Sequence, residues 1–273
     1  MPDNPHPVSL NALLAGTRAR VTGLRGHATE LEKRAAAGPA VRPFPGELAG
    51  SVGVIAEVKR RSPSQGAIRM DLDPVTHARA YLRGGAMAIS VLTEEQHFGG
   101  SLDDLSRVAA AVPVPVLRKD FILDELQIME ARVAGASAVL LIARVLSREQ
   151  LRTLARTARS WGLGTLLEVH VEEELDAALA ASPSAIGVNA RDLSSFAIDM
   201  RGAEQIISRI PAGVVVVAES GVERRQDVER YAAAGADLVL VGTSVARQDD
   251  PEEAVRALVG VPRQGRSDRE STG

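Results

Sequence analysis

Two textures alternate along the chain. Short β-branched apolar runs recur at Val52–Val58, Ala86–Leu92, Val114–Leu117, Ala138–Ile142, Thr165–Val169, Ala185–Val188, Val214–Ala218 and Leu238–Val241. Runs of this length and composition predict strands buried on both faces. Between them lie longer stretches with apolar residues at helical spacing, such as Leu126, Met129 and Val133, or Leu151, Leu154, Ala155 and Ala158. Asp73-Pro74 and Asp250-Pro251 each place an N-cap acid before a first-turn proline. Ser147 with Gln150 reads as a capping box. Gly85-Ala86, Gly135-Ala136 and Gly235-Ala236 each stand where a helix should end and a strand begin. They stand 50 and 100 residues apart, which fits a glycine C-cap recurring every two or four units of about 25 residues.

Eight strand-then-helix units without a long structureless gap imply a parallel sheet with crossovers. A closed eight-stranded barrel and an open doubly wound sheet both satisfy this. The count of eight and the even spacing favour the barrel, so the predicted fold is α/β, a single (β/α)8 TIM barrel. Leu10, Leu13, Leu14, Val21 and Leu24 give the preceding segment a helical pattern of its own. Residues 1–50 are therefore expected to form a helical extension lying across one end of the barrel, residues 51–260 the catalytic barrel, and residues 261–273 a polar, disordered tail.

Composition narrows the chemistry. None of the 273 residues is cysteine, which excludes disulfides, thiolate metal sites and a cysteine nucleophile. Lys and Arg number 32 against 35 Asp and Glu, a net charge of −3. No global basic field exists to attract nucleic acid or an anionic membrane. Apolar runs such as Ala138–Ala143 fall far short of the ~20 residues of a spanning helix. The N-terminus has no charged head followed by an apolar stretch, so no secretory signal is read. The expectation is a cytoplasmic protein, a monomer or weak homo-oligomer.

In a parallel barrel, chemistry collects where the strands end. The first run ends in Glu57-Val58-Lys59, and period two puts Glu57 and Lys59 on one face. Lys119 ends the third, Glu168 the fifth, Asn189-Ala190-Arg191 the sixth and Glu219-Ser220-Gly221 the seventh. Any one of these charges would be unremarkable as a solvated strand end. Three carboxylates and three cations converging on one mouth instead suit acid–base work. Ser220-Gly221 and Gly242-Thr243, at the ends of runs seven and eight, match the usual phosphate-binding position of this fold. The basic loop Lys59–Gly66, which contains Ser62, is placed to lid an anionic substrate. Phe98, Phe121, Leu140, Ile142 and Leu166 supply an apolar wall. His170 lacks an evident partner and is read as structural. The five histidines are scattered, and neither a dinucleotide glycine fingerprint nor a Gly-x-Ser-x-Gly elbow is present.

These segments resemble the indole-3-glycerol-phosphate synthase family of tryptophan biosynthesis. The likeness is carried by Ile55–Gly66 (IAEVKRRSPSQG), Ser90–Leu102 (SVLTEEQHFGGSL), Leu117–Ile122 (LRKDFI), Leu166–His170 (LLEVH), Gly187–Leu193 (GVNARDL), Ala218–Gly221 (AESG) and Val241–Thr243 (VGT). The resemblance implies a (β/α)8 barrel without cofactor or metal. It implies cyclisation of 1-(2-carboxyphenylamino)-1-deoxyribulose 5-phosphate to indole-3-glycerol phosphate, with loss of CO2 and water. By position, Lys119 would be the general acid on the ketone oxygen and Glu168 would handle later proton transfers. Lys59 would hold the anthranilate carboxylate. Glu57, Asn189, Arg191 and Glu219 would orient those groups. Ser220, Gly221, Gly242 and Thr243 would hold phosphate, with Ser62 close to the substrate, and the five apolar residues would flank the ring. Ala190 and the Gly-Thr-Ser-Val-Ala-Arg phosphate loop depart from the usual family residues.

Two other readings fit less well. Phosphoribosylanthranilate isomerase, another phosphate-binding barrel, needs a cysteine–aspartate pair, and this chain has no cysteine. A non-catalytic sugar-phosphate-binding protein would be expected to have lost Lys119 or Glu168. Nearby carboxylates would raise the pKa of Lys119 and low-dielectric walls would lower it, and the sequence leaves that contest open.

Overall fold

A computed structural model describes residues 9–266. Eight parallel strands close a barrel: β1 (Gly53–Val58), β2 (Ala88–Leu92), β3 (Val116–Lys119), β4 (Ala138–Ile142), β5 (Gly164–Val169), β6 (Ala185–Asn189), β7 (Val216–Glu219) and β8 (Leu238–Val241), with β8 pairing back onto β1. The expected barrel is present, and each strand overlaps one of the eight apolar runs. The connecting helices are α3 (Pro74–Arg83), α4 (Leu102–Ala111), α5 (Glu125–Val133), α6 (Arg148–Ser160), α7 (Leu175–Leu179), α8 (Met200–Ile207), α9 (Arg225–Ala234), α10 (Thr243–Ala246) and α11 (Pro251–Arg256), after α1 (Leu10–Leu24) and α2 (Ala28–Ala36).

The local signals act as expected. Asp73 and Asp250 accept N–H bonds at the starts of α3 and α11, and Ser147 with Gln150 closes a capping box on α6. Gly85, Gly135 and Gly235 all adopt positive φ, which lets the chain leave each helix without a Cβ clash. On α6 the buried residues are Leu151, Leu154, Ala155 and Ala158. Helix α5 departs from the pattern. Its buried residues are Gln127, Ile128, Glu130 and Ala131, whereas Leu126, Met129 and Val133 are only half-buried. The reason is Arg118, which leaves the outer face of β3 and bonds the Gln127 carbonyl and Glu130. That polar anchor turns α5 away from its most apolar stripe.

Inward-facing residues stack in layers fed by alternate strands. The odd strands contribute Ile55, Leu117, Leu166 and Val217, all fully buried. Two residues further along, the same four faces present Glu57, Lys119, Glu168 and Glu219. The even strands contribute Ser90, Leu140, Gly187 and Leu240 at the corresponding step. A charged layer therefore sits directly on an apolar plug.

The N-terminal segment reaches both ends of the barrel, not only one. Leu13 and Leu14 of α1 join the apolar cluster that contains Phe121 at the mouth. Helix α2 packs along α5. Phe44 then packs at the bottom, where it lies against Gly164, the first residue of β5. The tail also differs from expectation over 261–266. Val261 is buried and its carbonyl accepts the Val52 N–H at 2.7 Å, Pro262 bridges Ser51, and Arg263 pairs with Asp237 at 2.6 Å. The remaining residues of that predicted tail, 267–273, lie outside the described residues. Among the described residues, no helix is long and apolar enough to cross a membrane.

Candidate active site

The mouth of the barrel holds a cavity of about 470 Å³. Glu57, Lys59, Ser62, Phe98, Lys119, Phe121, Leu140, Ile142, Glu168, Asn189, Arg191, Glu219, Ser220, Gly221, Gly242 and Thr243 all line it. Of the predicted residues only Leu166 does not. It is fully buried and belongs to the apolar layer below, paired in register with Leu140. Period two made Leu166 a face-mate of Glu168, but the depth of that position was not visible in the sequence.

Lys119 is the centre of the charge cluster. Its Nζ lies 3.2 Å from Glu168 Oε2 and 3.5 Å from Glu219 Oε2. Burial works against the ammonium, yet the carboxylates of Glu168, Glu219 and Glu57 outweigh it and raise the Lys119 pKa above the usual lysine value. Lys119 is therefore an ammonium. The two carboxyls beside it diverge. Burial would raise Glu168, but Lys119, His170 and a hydrogen bond from Asn189 hold it below the usual carboxylate range. Glu219 is pushed well above that range by burial and by the negative charge of Glu168. The Lys119 ammonium thus stands between one carboxyl held down and one pushed up.

Glycine makes this crowding possible. A Cβ at Gly187, between β5 and β7, would collide with the Glu219 carboxylate. At the other side Lys59 Nζ pairs with Glu57 Oε1 at 3.0 Å and stands 6.0 Å from the centre of the Phe98 ring, a cation–π distance. Ser90 Oγ donates to Glu57 Oε2 at 3.4 Å. Asn189 Oδ1 accepts from Ser220 Oγ at 2.9 Å and from the Arg191 N–H at 3.0 Å, which leaves its amide nitrogen for Glu168. Arg191 is half-buried and makes no ion pair among the described residues. Burial lowers its pKa, so an incoming anion would relieve that cost.

The opposite rim is built from backbone. Ser220 and Gly221 have consecutive positive φ values of 68° and 80°. A side chain at 221 would also strike Met200 Cγ at 2.8 Å. Thr243 begins α10, so the N–H groups of its first turn have no intrahelical acceptor. Gly242 lets this turn approach the cluster, since a Cβ there would sit 2.6 Å from Glu57 Oε1.

Several lining residues escaped the sequence reading. Leu193 and Phe196, in the loop after β6, extend the apolar wall, and Arg247 adds a cation near the rim. Glu94 also lines the cavity, and its Oε2 accepts the N–H groups of His97 and Phe98 at 2.7 and 3.0 Å, which fixes the loop that carries Phe98. An acid three residues before His97 is the turn signal that would have found it. Ser62 stands where a short hairpin, Arg61–Ser62 with Gly66–Ala67, bends over the opening.

Residues 10–258 match the family model described as indole-3-glycerol phosphate synthase. The chain belongs to the indole-3-glycerol phosphate synthase family. Proteins named indole-3-glycerol phosphate synthase from Mycolicibacterium smegmatis and Mycobacterium avium are each 47% identical over 253 residues, covering 92% of this chain and 93% of theirs. The one from Mycobacterium leprae is 46% identical over the same span. Two solved barrels share the fold at low identity. The 3-hexulose-6-phosphate synthase of Salmonella typhimurium superposes with a TM-score of 0.62 at 15% identity, over 76% of this chain and 96% of that one. The thiamine phosphate pyrophosphorylase of Pyrococcus furiosus gives 0.58 at 16%, over 76% and 93%. Membership of the family makes this chain a decarboxylating lyase of tryptophan biosynthesis that acts on a phosphate-bearing small molecule.

Proposed function

We propose that Lys119 and Glu168 carry the proton transfers of the indole-3-glycerol-phosphate synthase reaction in this chain. The observation that carries this reading is the Lys119 ammonium 3.2 Å from Glu168 Oε2 and 3.5 Å from Glu219 Oε2, at the floor of a cavity with an apolar wall. Lys59 holds the carboxylate of the aryl ring, and Phe98, Phe121, Leu140 and Ile142 flank the ring. The turns at Ser220-Gly221 and Gly242-Thr243 hold the phosphate. With both ends clamped, the ring carbon that bears the carboxylate faces the ketone. Such positioning supplies up to ~7–11 kcal/mol where two reacting parts must meet.

Ring closure moves the carbonyl electron pair onto oxygen, where Lys119 delivers its proton. The carboxylate leaves as CO2 and returns its electron pair to the ring. The new hydroxyl departs as water while Glu168 takes a proton from the carbon next to nitrogen. Two protons are given and one is taken. The difference replaces the negative charge lost with the carboxylate, and solvent supplies it. The Glu168 carboxylate is suited to accept, and Glu219, whose pKa is pushed up beside it, is suited to stay there with less repulsion. Glu57, Asn189 and Arg191 orient these groups, and Ser62 closes over the substrate.

Mixing the chain with 1-(2-carboxyphenylamino)-1-deoxyribulose 5-phosphate should raise indole fluorescence with stoichiometric release of CO2. No fluorescence change under conditions where the protein is folded would overturn the reading. We further propose residues 51–260 as the catalytic unit, with the extension packed against it over residues 9–50; residues 1–8 of the predicted extension lie outside the described residues. The enzyme is proposed to work in the cytoplasm as a monomer or weak homo-oligomer, a state that a sizing column reads directly.

A further inference from the structure

His170 follows β5 and shares a face with Glu168. Its side chain is only 2% exposed, and Nε2 lies 3.3 Å from Glu168 Oε1. The other oxygen, Oε2, is the one that meets Lys119. The carboxylate is therefore held from two directions. Nε2 lies off the line of a good hydrogen bond, and among the described residues neither ring nitrogen has a well-aligned partner. A buried polar group in that condition is costly in a resting fold and points to a task during turnover. On the far side, Nδ1 lies 3.9 Å from Glu174 Oε2, and that oxygen accepts the His170 backbone N–H at 2.7 Å. Arg144 then fixes Glu174 at 3.2 Å and Asp192 at 2.8 Å.

We propose that His170 is a positioning residue for Glu168, a small turn of the ring bringing its Nε2–H onto Oε1 so that the carboxylate stays aimed until it accepts a proton. The proposal rests on the reading of Glu168 as proton acceptor. An ionised carboxylate only accepts hydrogen bonds, so the nitrogen facing it must carry hydrogen. His170 is also one of the groups that hold Glu168 below the usual carboxylate range. The charged groups facing the ring are Glu168 from β5, Glu174 from the turn that follows and Arg144 from the loop after β4. Lys119 and Glu219 act on it through Glu168. The outer groove adds Glu172, itself paired with Arg209, and Asp199 at the start of α8.

The test is the pH profile of kcat/KM for wild type, His170→Gln and His170→Leu. Gln returns an N–H near the Nε2 position, and Leu fills the volume without one. Losing the donor should move the acid limb of His170→Leu up by about one pH unit, with His170→Gln within about 0.3 unit of wild type. An unmoved limb in His170→Leu, or equal shifts in both variants, overturns the proposal. A second readout needs no turnover and no variant fold. Histidine-selective 15N NMR of the wild-type protein at pH 7.5 should find His170 protonated on Nε2, and a ring protonated on Nδ1 alone overturns the proposal. Glu168→Gln separates the two layers of the argument. If it turns over at the wild-type rate, the role of Glu168 fails, while the NMR result still decides the contact.

Discussion

Arg118 and Lys119 are neighbours on β3, and they serve opposite kinds of charge cluster. Arg118 points out of the barrel and is fully buried. Each of its three nitrogens is bonded: Nε to Thr93 at 3.1 Å, Nη1 to the Gln127 carbonyl at 2.6 Å, and Nη2 to Asp120 at 2.9 Å. Arg20 of α1 joins the same two acids, Asp120 at 3.2 Å and Glu130 at 2.9 Å. Two cations meet two carboxylates with no orphaned atom in the set. Lys119 points inward to three carboxyl groups, of which Glu219 has its pKa pushed up and keeps an unpartnered oxygen, Oε1. The saturated cluster welds the N-terminal extension to the barrel. The unsaturated one has room for a substrate to finish it.

That contrast breaks first at the two adjacent residues. Lys119→Ala should lower kcat/KM by about 10³-fold, the middle of the range for losing a general acid, with a cooperative melt retained. Wild-type turnover in this variant would sink the acid assignment. Arg118→Met should do the reverse. It leaves Asp120 and Glu130 with too few donors in a buried site, a loss of about 3–5 kcal/mol in unfolding free energy. Activity per folded molecule should fall less than about tenfold, because the mouth keeps all its reacting groups. Urea unfolding and steady-state kinetics on the two proteins decide the matter, and equal losses in both assays for both variants would erase the distinction.

How far the sequence carried this comparison differs between the two clusters. Period two and the end-of-strand rule brought Glu57, Lys119, Glu168 and Glu219 together, because four odd strands repeat one pattern of apolar residue then charge. The outer cluster was not readable, since Arg118 sits in the same short run and nothing local says which of two adjacent cations turns inward. Its partners come from α1 and α5, 100 and 12 residues away for Arg20–Asp120 and Arg118–Glu130. The same blindness hides the buried face of α5, which is not the stripe of Leu126, Met129 and Val133. Depth was the other gap, as Leu166 shows, because periodicity gives the face of a strand but not the height within the barrel. The Glu94 turn and the 261–266 packing depend on tertiary contacts in the same way.

A smaller effect sharpens the idea that the inner cluster is left open for a ligand. The rim at Ser220-Gly221 and Gly242-Thr243 offers N–H groups rather than cations, so its contribution should appear in substrate affinity. Gly242→Trp fills the rim and removes hydrogen bonds to a charged group, which corresponds to a rise in KM of about 10–100-fold. Inorganic phosphate should inhibit the wild-type enzyme competitively and lose that effect in the variant. An unchanged KM would move the phosphate site elsewhere.

The smallest expected effect concerns the acid whose pKa the inner cluster raises. Glu219 is ionised in the unfolded chain above about pH 4.3, but burial and the charge of Glu168 push its pKa well up in the fold. Folding then takes up a proton. A carboxyl raised in the fold gives its full support only below the unfolded pKa and loses it as pH rises toward the folded value, at about 1.4 kcal/mol per unit. Glu168 runs the other way: its depressed pKa adds stability above the ordinary carboxylate range, and that stability is lost as pH falls. Glu219→Gln keeps the shape and an N–H donor toward Glu168 but cannot ionise. Its stability relative to wild type should be near zero at pH 4 and should grow by about 1 kcal/mol or more by pH 6. Urea midpoints at three pH values read this directly. A gain independent of pH would mean that Glu219 is ionised beside Lys119. The inner cluster would then set the carboxylates of Glu168 and Glu219 against the one Lys119 ammonium, a net negative charge that the balanced outer cluster lacks.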